Sequence, residues 1–120
     1  CGPLLCDRSK PELHDLTPKG PAILHKAGVE FAIITDHPVI PAQYLTLCAC
    51  LAAREGLAFD QALRAITITP AEICGIDDRV GSITIGKDAD FVLFDTEPLA
   101  LFAKPSEVFC RGQRIILTAN

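Results

Sequence analysis

The sequence predicts an α/β fold in two parts that divide near residue 75. Residues 1–75 alternate helical and strand-like segments, which is typical of a parallel sheet with crossover helices. Residues 76–120 contain short apolar runs separated by Gly, Pro and Asp, which favours antiparallel strands. The chain has 120 residues, whereas a complete α/β barrel takes roughly 250. We therefore expect any barrel element in it to belong to a fragment, and the absence of methionine agrees with truncation.

The first part begins with a helix and a strand. Thr17-Pro18 predicts a helix start, with the hydroxyl as N-cap and proline at the first helical position, and Gly28 predicts its end. The run Val29–Thr35 is β-branched and almost entirely apolar, which predicts a strand buried on both faces. The chain leaves this strand at Asp36-His37-Pro38.

Three further helices and four short strands complete the pattern. Apolar spacing predicts helices over Ala42–Arg54 and Phe59–Ile66, and Thr69-Pro70-Ala71-Glu72 reads as a capping box that opens a helix closed by Gly75. The predicted strands are Val80–Ile85, Asp90–Phe94, Val108–Cys110 and Arg114–Leu117.

Composition excludes several classes of protein. The net charge is −4 and the basic residues are scattered, which argues against a surface that follows nucleic-acid phosphates. The chain has no apolar run of the roughly eighteen residues that a membrane helix needs. The six cysteines form no C-x-x-C pair, so we expect reduced, mostly buried thiols in a cytoplasmic protein.

One segment nearly spells a phosphate-binding loop. Gly81–Asp88 has the glycines and the lysine of that motif, but Asp88 stands where a magnesium-binding hydroxyl is required. The segment also leads into a predicted strand instead of a helix, so we reject nucleotide binding.

Asp36 is the main candidate for chemistry. In α/β barrels the carboxyl ends of the strands form the catalytic face, and a side chain at such an end is held in fixed geometry. One carboxylate oxygen can bind a divalent cation, and the other can take a proton from the water that the cation activates. Thr-Asp-His-Pro is equally good turn chemistry, so a purely structural role for Asp36 stays open.

Three segments, in order, carry a family resemblance: Ala32–Pro38 (AIITDHP), Ala62–Ala71 (ALRAITITPA) and Gly81–Val92 (GSITIGKDADFV). They resemble the amidohydrolase superfamily, in particular imidazolonepropionase-related enzymes, and the likeness extends from Gly2-Pro3 to about Ile116. The resemblance implies the C-terminal part of a (β/α)8 barrel for residues 1–75 and part of a flanking small β-sandwich for residues 76–120.

The resemblance also implies a site. These enzymes hold one or two divalent metals, with zinc the first candidate, at the mouth of the barrel, and their last ligand is an Asp that ends strand eight. Asp36 matches that position, where it would accept a proton from the attacking water and pass it to the leaving amine. His37 would orient Asp36 or contact a small-molecule substrate, with a structural loop histidine as the alternative. Arg8 and Lys10 would contact an anionic substrate group, with a solvated basic loop as the alternative.

The chain departs from the family pattern in its histidines. The family's ligands on earlier strands have no counterpart here, and His14 and His25 lie before and within the first helix. A catalytic zinc takes three protein ligands and water, so we expect the isolated chain to be inactive. We expect a hydrolase of cyclic amides, ureides or dipeptides in the intact protein; the alternative is a non-catalytic fragment or binding domain that needs a partner segment. Open strand edges predict self-association or pairing with a missing N-terminal portion.

Overall fold

A computed structural model describes residues 1–5, 8 and 10–116. Its helices are α1 (Gly20–Lys26), α2 (Leu45–Arg54), α3 (Phe59–Arg64) and α4 (Ile68–Cys74). Two 3₁₀ helices cover Pro11–Leu13 and Ala42–Tyr44, and the strands are β1 (Phe91–Phe94), β2 (Pro105–Cys110) and β3 (Gln113–Ile115). Among these helices, none has both the length and the apolarity to cross a membrane. Two predicted features, the thiol of Cys6 and the end of the last strand at Leu117, lie outside the described residues.

The helices of the first part share one apolar core. α2 packs against α1 and α3, and its inner face consists of small residues that are almost fully buried, among them Cys48, Ala49 and Ala52. Small side chains allow helices to approach closely, and Ala62 of α3 is also fully buried. Burial raises the pKa of the Cys48 thiol, because a thiolate would lose its hydration there.

The segment 29–35 differs from the predicted strand. It belongs to no strand ladder among the described residues, and only one of its faces is buried. Ile33 and Thr35 are buried while Glu30 and Ile34 are exposed, so the expectation of burial on both faces is wrong within the described residues. Apolar composition alone does not distinguish a strand covered on both faces from one covered on a single face.

Other local predictions are also wrong. α1 begins at Gly20 with Lys19 as its N-cap, and not at Pro18 with Thr17 as its N-cap. α4 begins at Ile68 with Thr67 as its N-cap residue, and not at a Thr69 capping box. The Thr67 hydroxyl does not cap the helix and instead donates to the Leu63 carbonyl at 2.7 Å. Residues 80–85 form bends and turns instead of a strand. Gly81 has a φ of +88°, and a Cβ on it would lie 2.8 Å from the Ala71 Cβ, so this loop lies directly against α4. Gly75 ends α4 in the left-handed conformation, as predicted.

The second part contains an antiparallel sheet in the order β1-β2-β3. Phe91 pairs with Phe109, and their rings stack with centroids 4.6 Å apart. Arg111 and Gly112, both with positive φ, form the two-residue turn between β2 and β3. The Arg111 N–H donates to the Asp90 carboxylate at 2.6 Å, which ties this turn to the residue before β1.

The cysteine prediction holds only in part. Cys48 and Cys50 are buried, whereas Cys74 and Cys110 are exposed, so "mostly buried" is wrong for these two. Cys74 is the last residue of α4 and Cys110 is the last residue of β2. At the end of an element, aliphatic neighbours in sequence do not guarantee burial. All the cysteines of the described residues are free thiols.

Candidate metal centre

Asp36 opens a four-residue turn at the end of segment 29–35. Its carbonyl accepts the Val39 N–H at 2.8 Å, and the Thr35 carbonyl accepts the Ile40 N–H at 3.3 Å. The peptide bond between His37 and Pro38 is cis, as in turns with proline at the third position. Asp36 has a φ of +55°, a left-handed conformation that aspartate tolerates better than most residues.

Hydrogen bonds hold the segment before Asp36 on both sides. The Cys1 nitrogen donates to the Ala32 carbonyl at 2.6 Å, and the Cys1 carbonyl accepts the Ile34 N–H at 3.0 Å. In a parallel strand pair, one residue donates its N–H to the residue before its partner and accepts the N–H of the residue after it. Cys1 is related to Ile33 in this way. On the other side Ile33 donates to the Ala65 carbonyl at 2.9 Å. The parallel relation predicted for the first part is therefore present locally, at the position that leads to Asp36.

Gly2 makes the approach of these two segments possible. It has a φ of +143°, and a Cβ built on it would lie 2.3 Å from the Ile34 carbonyl oxygen. Real side chains do not come so close to a backbone oxygen, so the position needs glycine. In the sequence, Cys1-Gly2-Pro3 is typical of a strand that ends in a turn, and a glycine next to a strand end was the signal available for this close contact.

The Asp36 side chain is exposed. Within the described residues no hydrogen bond or ion pair engages its carboxylate, so its oxygens are available to a ligand. The other predicted residues are also at the surface: His37 is exposed in the same turn, and Arg8 and Lys10 are exposed after Pro3. No ion pair joins Arg8 or Lys10 to Asp36 in this part of the chain.

The remaining histidines lie elsewhere. The His14 Nδ1 is 3.0 Å from an Asp15 carboxylate oxygen, and both side chains are exposed. His25 is exposed near the end of α1. Across residues 1–5, 8 and 10–116, no group of three or more His, Cys, Asp or Glu side chains could hold a metal ion. Asp36 fits the role of one ligand, and the described residues do not bring a complete ligand set to it.

Comparison with known proteins decides the family. The model of the amidohydrolase family matches residues 5–115 of this chain. The chain belongs to the amidohydrolase family. Its family relatives are hydrolytic enzymes, and its structural neighbours imply the TIM-barrel-type fold of the superfamily. The predicted family and the α/β class are thereby confirmed.

Curated members of the amidohydrolase family resemble the chain over most of its length. It is 35% identical to amidohydrolase tasK of Hapsidospora irregularis, over 86% of the chain and 10% of the relative. It is 36% identical to an imidazolonepropionase of Cupriavidus pinatubonensis, over 78% of the chain and 24% of the relative. The chain thus spans a quarter or less of the length of these two relatives.

A solved amidohydrolase structure matches still more of the chain. The crystal structure of an amidohydrolase from Thermotoga maritima shares 42% identity, with a TM-score of 0.91 over 96% of this chain and 30% of that one. A prolidase solved with N-methylphosphonate-L-proline is 24% identical with a TM-score of 0.67, which shows the shared fold alone. The backbone of the chain therefore matches 30% of the length of the Thermotoga maritima amidohydrolase.

Proposed function

We propose that this chain supplies the carboxylate ligand and proton acceptor, Asp36, to the active site of a metal-dependent hydrolase of amide or other C–N bonds. In this proposal residues 1–75 are the last strands and helices of the barrel, and residues 76–120 are part of the flanking β-sandwich. Family membership supports the hydrolase class, and the division near residue 75 agrees with the helices before it and the antiparallel sheet after it.

The observation that carries the proposal is the position of Asp36. It follows directly on a segment that is bonded in parallel fashion to Cys1 and held from the other side by Ala65. Its carboxylate is exposed and takes part in no ion pair within the described residues. A backbone held by hydrogen bonds on both sides and followed by a free carboxylate is suited to presenting a metal ligand.

A divalent cation, with zinc first, would act there as a Lewis acid that lowers the pKa of water towards about 7. Asp36 would hold the cation through one carboxylate oxygen. Its second oxygen would accept the proton of the attacking water and return it to the departing amine nitrogen, so that the carboxylate ends the cycle unprotonated. Cyclic amides, ureides and dipeptides all offer such a nitrogen, and they are the proposed substrate class.

His37, Arg8 and Lys10 have supporting roles in this proposal. His37 follows Asp36 in the same turn, where it can orient the carboxylate or contact the substrate. Arg8 and Lys10 are exposed in the stretch that follows Gly2-Pro3, and Gly2 lies against Ile34 just before Asp36. From there their positive charges can attract an anionic substrate group.

A second candidate is a non-catalytic unit that depends on other segments. It is favoured by the lack of a complete ligand set in the described residues and by exposed apolar side chains. Ile83 and Phe102 are 89% and 86% exposed, and large exposed apolar surface marks contact sites. We propose that further segments of the protein, or a second copy, cover this surface. Coverage by further segments and coverage by a second copy are both compatible with a hydrolase whose active site includes residues from outside this chain.

The decisive experiment is Asp36→Asn in the intact protein. The amide keeps the size of the side chain and the left-handed preference but removes the charge. Turnover should fall by about a thousandfold, as for loss of a general base, and bound metal should decrease when measured by atomic absorption. Asp95→Asn, which changes an exposed carboxylate just after β1, is the matched control and should leave both unchanged. Full activity of Asp36→Asn would refute the proposed mechanism.

A further inference from the structure

The contact between Gly2 and Ile34 lies next to the proposed ligand. The Ile34 carbonyl oxygen would be 2.3 Å, and its carbonyl carbon 3.2 Å, from a Cβ at position 2. Both atoms are backbone, so no side-chain rotation relieves the collision, and the two segments would have to separate. Thr35 is buried, and its carbonyl accepts the Ile40 N–H that helps to close the turn. Displacement of Ile34 therefore reaches Asp36 through a single buried residue.

We propose that Gly2 is a positioning residue for Asp36. Because Gly2 has no side chain, the Cys1–Pro3 segment lies against residues 32–34, and this contact determines the position of the Asp36 carboxylate. This inference rests on the proposed function. The hydrogen bonds of Cys1 to Ala32 and Ile34 fix the register of the two segments, and the absent Cβ fixes their separation. Gly2 acts through backbone position alone and need not touch the substrate.

The test compares two glycines with positive φ in the intact protein. Gly2→Ala introduces both backbone strain and the collision with Ile34. Gly28→Ala is the matched control, because Gly28 has a φ of +73° and nothing lies within 4 Å of its added Cβ. We expect Gly2→Ala to raise the metal concentration for half-maximal activity roughly tenfold to a hundredfold, as is usual when a residue that orients a metal ligand is replaced. Gly28→Ala should leave this concentration unchanged.

A double-mutant cycle separates positioning from a general loss of structure. In the Asp36→Asn background the carboxylate ligand is already absent, so Gly2→Ala should cause little further change in metal affinity. Competition with a chromogenic chelator measures the affinity in each background. An equal loss in both backgrounds would overturn the inference. If instead Asp36→Asn alone left metal binding and turnover unchanged, the proposed function would fail and not merely the role of Gly2.

A second variant serves if Gly2→Ala does not fold. This variant, Cys1→Pro, is made in a chain extended before residue 1, because proline at a free amino terminus would keep N–H donors. There it leaves the Gly2 contact clear but removes the nitrogen-bound hydrogen that is donated to Ala32. We expect the same direction of change in metal affinity, again absent in the Asp36→Asn background. Metal affinity equal to that of the unsubstituted protein would show that the register of the two segments does not position Asp36, and would overturn the inference.

Discussion

Ile33 donates its backbone N–H to the carbonyl oxygen of Ala65, at 2.9 Å. Ala65 follows the last residue of α3, so this bond joins the end of that helix to the segment that leads to Asp36. Both residues are 3% exposed, and a buried backbone hydrogen bond is costly to leave unmade. The candidate ligand is thus supported from the helical core as well as from the Cys1–Pro3 segment.

The left-handed backbone at Asp36 predicts that a polar substitution there is less destabilising than a β-branched apolar one. Asp36→Asn should change the free energy of unfolding little, because asparagine also tolerates a φ of +55°. Asp36→Val should cost about 1–3 kcal/mol, because a β-branched residue is strained there. Urea denaturation of the intact protein measures both. Equal stability of the two variants would show that the turn adopts another backbone conformation.

The loop at Gly81 gives a second matched pair. Gly81→Ala and Gly86→Ala both introduce a side chain at positive φ, but only at Gly81 would the Cβ approach α4, to 2.8 Å from the Ala71 Cβ. We expect Gly81→Ala to be less stable than Gly86→Ala by about 1–3 kcal/mol, the usual cost of overpacking. Thermal unfolding of the two variants, compared at the same pH, checks the difference. A larger loss at Gly86 would contradict the packing of this loop on α4.

The thiols should react at different rates. Burial raises the pKa of Cys48, so at pH 8 it has less of the reactive thiolate than a free cysteine would have. We expect an alkylating reagent to modify the exposed Cys74 and Cys110 first and to reach Cys48 and Cys50 only on unfolding. Mass spectrometry of the digested protein gives the order. Early labelling of Cys48 would mean that α2 is not packed as described.

The exposed apolar side chains predict association of the 120-residue chain on its own. Ile83, Ile85 and Phe102 are each more than four-fifths exposed, and β1 is an edge strand of the described sheet. Edge strands and apolar surface promote contacts between copies. Size-exclusion chromatography with light scattering should show species larger than a monomer. Replacing Ile83 and Ile85 with lysine should shift the protein towards the monomer. A monodisperse monomer that binds little apolar dye would contradict this prediction.

The sequence predicted the local elements better than their surroundings. α1, α2 and α3 follow from apolar periodicity and from the glycine and proline residues at their ends, although α1 begins at Gly20 and not at Pro18. The turn at Asp36, directly after an apolar run, also follows from the sequence, because Asp-His-Pro is a local turn signal. The role of its carboxylate as a metal ligand stays a prediction. Whether Val29–Thr35 is covered on one face or two depends on neighbours distant in sequence, which the run itself does not encode.

The same reason explains the other differences. At residues 80–85 β-branched residues favoured a strand, but Gly81 adopts a positive φ and lies directly against α4. At α4 the sequence favoured Thr69 as the N-cap, but Thr67 holds that position and its hydroxyl donates to the Leu63 carbonyl. The close approach of Gly2 to Ile34 joins residues about thirty positions apart, which no local pattern reveals.

The Arg111-Gly112 turn has a consequence for how the chain folds. It connects β2 and β3 through only two residues. Its hydrogen bond to Asp90, the residue before β1, joins positions that are 21 apart in sequence. Closing such short loops loses little chain entropy, and contacts between near neighbours in sequence form early. The β2–β3 hairpin can therefore form before either the bond of Asp90 to Arg111 or the pairing of Cys1 with Ala32, which span 21 and 31 positions. Two loops of such similar length differ little in the entropy of closing them, so the segment that leads to Asp36 can assemble on the same timescale as the three-stranded sheet.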